Sequence, residues 1–136
     1  MQLILAKFIV DQHLVYSPSF ITFIKNHCER INATISYAIA QNNNHGTSES
    51  AALYIGGVIL IEISGIDEKL NKKAIKWYKK GKALLENRVD ALILNDGSFS
   101  QYSTNYHRLL LDTLNIVEFW RVKLKKSSFK IVSNSF

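Results

Sequence analysis

The stretch Gln41-Asn42-Asn43-Asn44-His45-Gly46-Thr47-Ser48-Glu49 interrupts two long runs of apolar, helix-like sequence. Three asparagines and a glutamine sustain a helix interior poorly, because their amides compete for backbone hydrogen bonds. The stretch therefore marks a break between two helices. Ser48 or Thr47 is suited to cap the second helix, and Gly46 to loosen the turn. Amides and one imidazole are then held just before a helix N-terminus, where unpaired N–H groups and the positive end of the dipole favour an anion. A polar helix cap with no chemistry accounts for the same residues, and both readings stand at this level.

Upstream of the break, Ser17-Pro18 is a helix start, with serine as cap and proline at the first position. From there to about Ala40, the residues Phe20, Ile21, Phe23, Ile24, Ile31, Ile35 and Ala38 recur at helical spacing. Downstream, Ser48 to about Ile63 is nearly all apolar, which predicts a helix buried on several sides in an inner layer. Ser48, Ala52 and Gly56 fall four apart and form a stripe of small side chains for close helix approach. Ser64-Gly65-Ile66-Asp67 breaks the chain again. A third helix follows, starting between Asp67 and Asn71 and ending near Leu92. Leu70, Ala74, Trp77, Tyr78, Leu84, Leu85, Val89 and Leu92 make its apolar face, with Lys72, Lys73, Lys76, Lys79 and Lys80 outside. It is longer than its predecessor, so its first turns are expected to overshoot or fray. Asn95-Asp96-Gly97 is a turn signal. Ser103 caps a last helix from Thr104 to about Lys123, with Leu110, Leu111, Leu114, Val117 and Trp120 inward.

Composition agrees with an all-α domain. The chain has 136 residues, 47% of them hydrophobic, with one proline and six glycines, which is enough for a real core and too few breakers for a turn-rich β protein. A net charge of +6 suits an acidic partner as well as simple solubility, and charge alone decides nothing. The single cysteine, Cys28, excludes an internal disulfide and adjoins His27, but neighbouring helix residues point about 100° apart and do not share a metal. His13, His45 and His107 lack zinc-ligand spacing, so no metal or cofactor is expected. Asn32-Ala33-Thr34 is a formal glycosylation sequon, discounted because it falls inside a helix. The run Leu3–Val10 is too short to span a bilayer and lacks a cleavage site. It reads as a buried helix end. The basic segment Lys123-Leu124-Lys125-Lys126 leads to a final stretch, Phe129–Phe136, that reads as the start of a further element.

Helix lengths connect these pieces. One helix leaves the polar break, the next returns antiparallel, and the last starts at Ser103, so the chain comes back to the end it left. Asn44 and His45 are thereby expected on the same face of the helical layer as Tyr106 and His107. An amide, a phenol and two imidazoles on a polar rim make a candidate site. Rim packing explains Tyr106 and His107 equally well.

The stretch from Gln41 to His45, running into Ser48-Glu49-Ser50-Ala51-Ala52-Leu53-Tyr54-Ile55-Gly56-Gly57, resembles the first signature of the heparinase II/III-like polysaccharide lyases. Asp96-Gly97-Ser98-Phe99-Ser100-Gln101-Tyr102-Ser103-Thr104-Asn105-Tyr106-His107 resembles the second. Trp77 and Leu84-Leu85-Glu86 fit between them. The resemblance covers roughly Ser17 to Trp120, with extra residues around Ile63–Lys73. It implies antiparallel helical hairpins forming part of an (α/α) toroid, an incomplete ring of paired helices that in the family precedes a β-sandwich. Residues 1–136 are then expected to be one partial toroid domain, a fragment without its flanking helices or sandwich.

The implied reaction is β-elimination on a uronic-acid-containing polysaccharide: the C5 proton is abstracted and the sugar at C4 expelled. While the neighbouring carboxylate keeps its charge, that proton is too weakly acidic, so groups that neutralise the carboxylate stabilise the enolate-like intermediate. By resemblance, Asn44 and His45 fill that role and Tyr106 exchanges protons, with His107 tuning or orienting it. Free tyrosine titrates near about 10 and needs a cationic or donor-rich setting to act as a base. Asn43, Gln101 and His107 are the expected substrate-binding residues. Family members draw further site residues, including another histidine, from earlier helices and the sandwich, so this set is incomplete. The alternative class is a non-catalytic basic module that binds acidic glycan or a protein partner. Nucleic acid and a membrane span are not expected, whereas self-association through exposed apolar faces is. The family suggests a periplasmic or secreted setting, but the chain shows no signal peptide.

Overall fold

A computed structural model describes residues 17–63 and 66–129. The Leu3–Val10 run, the Ser64-Gly65 step and most of Phe129–Phe136 lie outside the described residues. Four α-helices follow in order: α1 (Pro18–Ala40), α2 (Asn44–Glu62), α3 (Glu68–Leu92) and α4 (Thr104–Lys123). The chain is all-α. Among the described residues the only extended pairing is a single bridge between Ile93 and Phe99.

The helix starts follow side-chain chemistry. Ser17 accepts from the Phe20 amide at 3.3 Å, with Pro18 in the first turn. Asp67 accepts from the Leu70 amide at 2.9 Å, and Ser103 from the Tyr106 amide at 3.4 Å. The first turn of α3 does not fray: it is capped, and Leu70 is buried in the core. One boundary differs from expectation. The cap of α2 is Asn43, not Thr47 or Ser48, so the helix begins four residues earlier than Ser48, at Asn44. The Asn43 side chain accepts from the His45 amide at 2.9 Å, which asparagine does as well as serine. Gly46 is therefore helical rather than part of the turn, and only Gln41–Asn43 separates α1 from α2.

α2 is the centre of the packing. Leu53 through Leu60 are buried without interruption, as expected of a helix that is apolar all round. α1 covers one side of it with Ile24, Cys28 and Ile35, and α3 another with Ala74, Trp77 and Leu85. Val117 and Trp120 of α4 join the same core, while Leu92, Phe99 and Leu110 form a smaller one under the α3–α4 link. α1–α2 and α2–α3 are antiparallel hairpins, as in a segment of an (α/α) toroid.

Glycines set the closest approaches. A Cβ on Gly57 would stand 2.5 Å from the Tyr78 amide nitrogen and 2.8 Å from the Ala74 carbonyl oxygen. A Cβ on Gly81 would meet the Tyr54 backbone in the same way. These two residues let the α2 and α3 backbones touch. Gly56, from the expected small-residue stripe, faces α1 instead, where a Cβ would stand 2.5 Å from Cys28 Sγ. Burial pushes the Cys28 thiol up to about 12, so it packs as a neutral, apolar group. Burial also raises the Tyr54 phenol, whose ring packs beside Tyr78 and Phe129.

Candidate functional site

The α1–α2 link is held by its own amides. The Asn43 side chain accepts from the His45 amide and donates from Nδ2 to Gln41 Oε1 at 3.3 Å. Asn43, predicted to bind substrate, is thus the structural cap that orients the first turn of α2. Asn44 and His45 follow as its first two helical residues, Asn44 half-buried and His45 exposed. Their side chains sit where the helix dipole is positive.

Asn42 carries the turn out of α1. Its φ of 49° lies in the left-handed region, which asparagine tolerates better than most residues. Two other elements hold it there. Arg88 of α3 donates from Nη1 to Asn42 Oδ1 at 2.9 Å and to the Ile39 carbonyl at 3.4 Å. Gln101, from the α3–α4 link, donates from Nε2 to the Asn42 carbonyl at 3.1 Å. The two motif-bearing links therefore meet, joined by a hydrogen bond between residues 59 positions apart. Arg88 adds a fixed positive charge beside the α2 N-terminus. Asn87 orients the guanidinium by accepting from its Nη2 at 2.6 Å.

The α3–α4 link is a compact turn. Gly97 has φ of 80°, and Asp96 accepts from the Ser98 amide at 2.9 Å and its hydroxyl at 2.6 Å. Those bonds hold the Asp96 carboxyl below its ordinary range. Leu94 and Ser98, then Ser100 and Leu92, close the turn through backbone bonds of 2.8 Å. Phe99 is buried beneath it, and the His107 ring stacks on Phe99 with centroids 5.4 Å apart. Tyr106, one residue earlier on α4, presents a ring that is 47% exposed.

The structure thus brings Gln101 onto the polar break and leaves Asn44, His45 and Tyr106 accessible at the same end of the layer. Among the described residues no hydrogen bond or ring contact links Tyr106 or His107 to Asn44 or His45. Sequence reasoning passed over Arg88 and Asn42. Asn42 was within view as part of the polar stretch, but Arg88 gave no signal, because its partners lie 46 and 49 residues away. Also unanticipated is the second turn of α2. There the Thr47 hydroxyl and Glu49 Oε2 are buried without a hydrogen-bond partner among the described residues, a state that costs about 1–3 kcal/mol per group. No group of three or more histidine, cysteine or acidic side chains able to hold a metal occurs among the described residues. None of the described helices is long and apolar enough to cross a membrane.

Residues 4–130 match the family described as Heparinase II/III N-terminus. No curated protein and no solved structure matches the chain.

Proposed function

The chain belongs to the heparinase II/III family, and we propose that it supplies the helical part of a polysaccharide lyase acting by β-elimination on uronic-acid-containing polysaccharide. The observation that carries this reading is the Gln101–Asn42 hydrogen bond, which ties the Asn–His segment to the segment bearing Tyr106. In this mechanism Asn44 and His45 donate to the uronate carboxylate, assisted by the α2 N-terminus and the charge of Arg88. With that charge neutralised, the C5–H bond breaks and its proton passes to a base. The electron pair forms the C4=C5 double bond, the C4–O bond breaks, and the leaving oxygen takes a proton from Tyr106. Tyr106 is also the candidate base, taking the C5 proton as phenolate and passing it on to the leaving oxygen. His107, stacked on Phe99, orients the adjacent backbone and lines the rim.

The test is production of unsaturated uronate in the full-length protein, followed by ultraviolet absorbance. Asn44→Ala and Tyr106→Phe should each lower the rate by about 10²-fold or more, with little change in melting temperature. Near-normal rates in both variants would overturn the assignment. A second reading, a non-catalytic module that binds acidic glycan, is favoured by the lysine-rich surface of α3. Glycan binding with no unsaturated product from the unmodified protein would select it.

A further inference from the structure

Away from the Asn42 junction, α1 and α3 frame a groove of about 810 Å³ lined by Glu29, Asn32, Lys73, Lys76, Trp77, Lys79 and Lys80. A smaller hollow of about 340 Å³ adjoins it and extends the lysine row to Lys69 and Lys72. Six lysines, Lys69, Lys72, Lys73, Lys76, Lys79 and Lys80, thus recur every three or four residues along one side of α3. That spacing keeps them on one face, in a line about 16 Å long at 1.5 Å per residue.

Carboxylates neutralise only part of this charge. Lys73 pairs with Glu29 at 2.6 Å and Lys72 with Glu68 at 2.7 Å. The Lys73 hydrogen bond holds the Glu29 carboxyl below its ordinary range, so Glu29 stays an anion committed to that lysine. Lys80 donates to Asn32 Oδ1 at 2.9 Å, which fixes its position without cancelling its charge. Lys69, Lys76 and Lys79 carry no ion pair among the described residues.

The composition of the groove favours one kind of polyanion. It offers lysine point charges and an amide, donors that suit a row of spaced carboxylates and hydroxyls. Its one aromatic residue, Trp77, is only 4% exposed, so no ring is free for base stacking, on which single-stranded nucleic acid recognition relies. A linear polymer with spaced carboxylates and hydroxyls needs no such ring. None of the groove residues belongs to the Asn42 junction, and Arg88 lies 8 to 12 residues beyond Lys80 and Lys76, about 12–18 Å along α3.

We propose that this lysine-lined groove is a second, non-cleaving binding strip for the acidic polysaccharide, holding the polymer at a distance from the Asn44–Tyr106 site. The identity of the polymer rests on the lyase reading above. The strip is tested separately, by its own variants and its own readout.

The experiment measures binding of a fluorescently labelled polyuronate oligosaccharide by anisotropy at low salt, using the full chain in a Tyr106→Phe background to prevent cleavage. The pair Lys76→Gln/Lys79→Gln should weaken binding about tenfold, and the pair Lys76→Arg/Lys79→Arg should retain it. Raising the salt should erase the difference between them. Cooperative melting unchanged in both pairs keeps the comparison clean, since these side chains are exposed. Equal affinity in the glutamine pair and the unmodified chain would overturn the strip. Tighter, lysine-dependent binding of a single-stranded oligonucleotide would overturn the polysaccharide assignment. If lysine-dependent uronate binding persists although no form of the protein makes unsaturated product, the strip stands and the cleavage reading falls.

Discussion

Arg88 ties the end of α3 to the α1–α2 link, and nothing in its own neighbourhood of sequence announces it. It is half-buried, bonds the Asn42 side chain and the end of α1, and packs its Cδ where a Cβ on Gly46 would come within 3.2 Å. Arg88→Ala would strip Asn42 of the partner that holds its left-handed turn. The expected cost is about 1–3 kcal/mol, read as a lower urea midpoint. Arg88→Lys should recover little of it, because one ammonium does not reproduce the planar fork that reaches two acceptors while braced on Asn87. An unchanged midpoint in both would show that the turn holds itself. The contrast with Asn43 is instructive. A cap acts on an amide two residues away, so its candidates all lie within one short stretch, whereas Arg88 answers to residues 46 and 49 positions distant. Local chemistry was legible, but the tie between links was not.

Among the elements, two of four helix starts followed from Ser17 and Ser103, each a short polar side chain before a periodic run, and a third fell within the expected Asp67–Asn71 window. The start of α2 was misread because Thr47 and Ser48, closer to the apolar run, are as able to cap a helix as Asn43 is, and only the fold chose between them. The small-residue stripe was legible in part. It identified Gly56, which faces Cys28, but not Gly57 and Gly81, which carry the contact between α2 and α3. Periodicity ranks faces by polarity, and it cannot tell which of two adjacent glycines meets a backbone and which meets a side chain. The distinction has measurable consequences. On helix propensity alone, each Gly→Ala change would stabilise by roughly 1 kcal/mol. Gly57→Ala and Gly81→Ala should instead lower stability by about 1–3 kcal/mol, since the opposing backbone cannot step aside. Gly56→Ala should be milder, because the Cys28 sulfur has some freedom to rotate, whereas Gly56→Leu should force α1 from α2. Thermal melting orders the four variants. Equal effects of the three alanine substitutions would show that the α2–α3 approach is looser than the geometry indicates.

For the whole molecule, α2 is sheathed by three helices, while α4 turns Leu111, Phe119 and Val122 outward, 40–59% exposed. Leu111 and Val122 fall close to one line along the helix, being eleven residues or about three turns apart. An apolar strip of this kind favours association. The chain is expected to scatter light as a species larger than a monomer at micromolar concentration, and Leu111→Glu with Val122→Lys should disperse it. A monomer peak for the unmodified chain would remove that expectation.

The close approach of α2 and α3 also bears on how the chain tolerates changes in length. Trp77 and Leu85 stand one turn to either side of Gly81. Were α3 to slide by a turn along α2, one of these bulky side chains would have to enter the space that only a glycine fits. The pair is therefore locked in register like a key cut at two notches. Residues inserted between Ile63 and Asp67 would bulge outward at the far end of the hairpin, and Arg88 would stay beside Asn42.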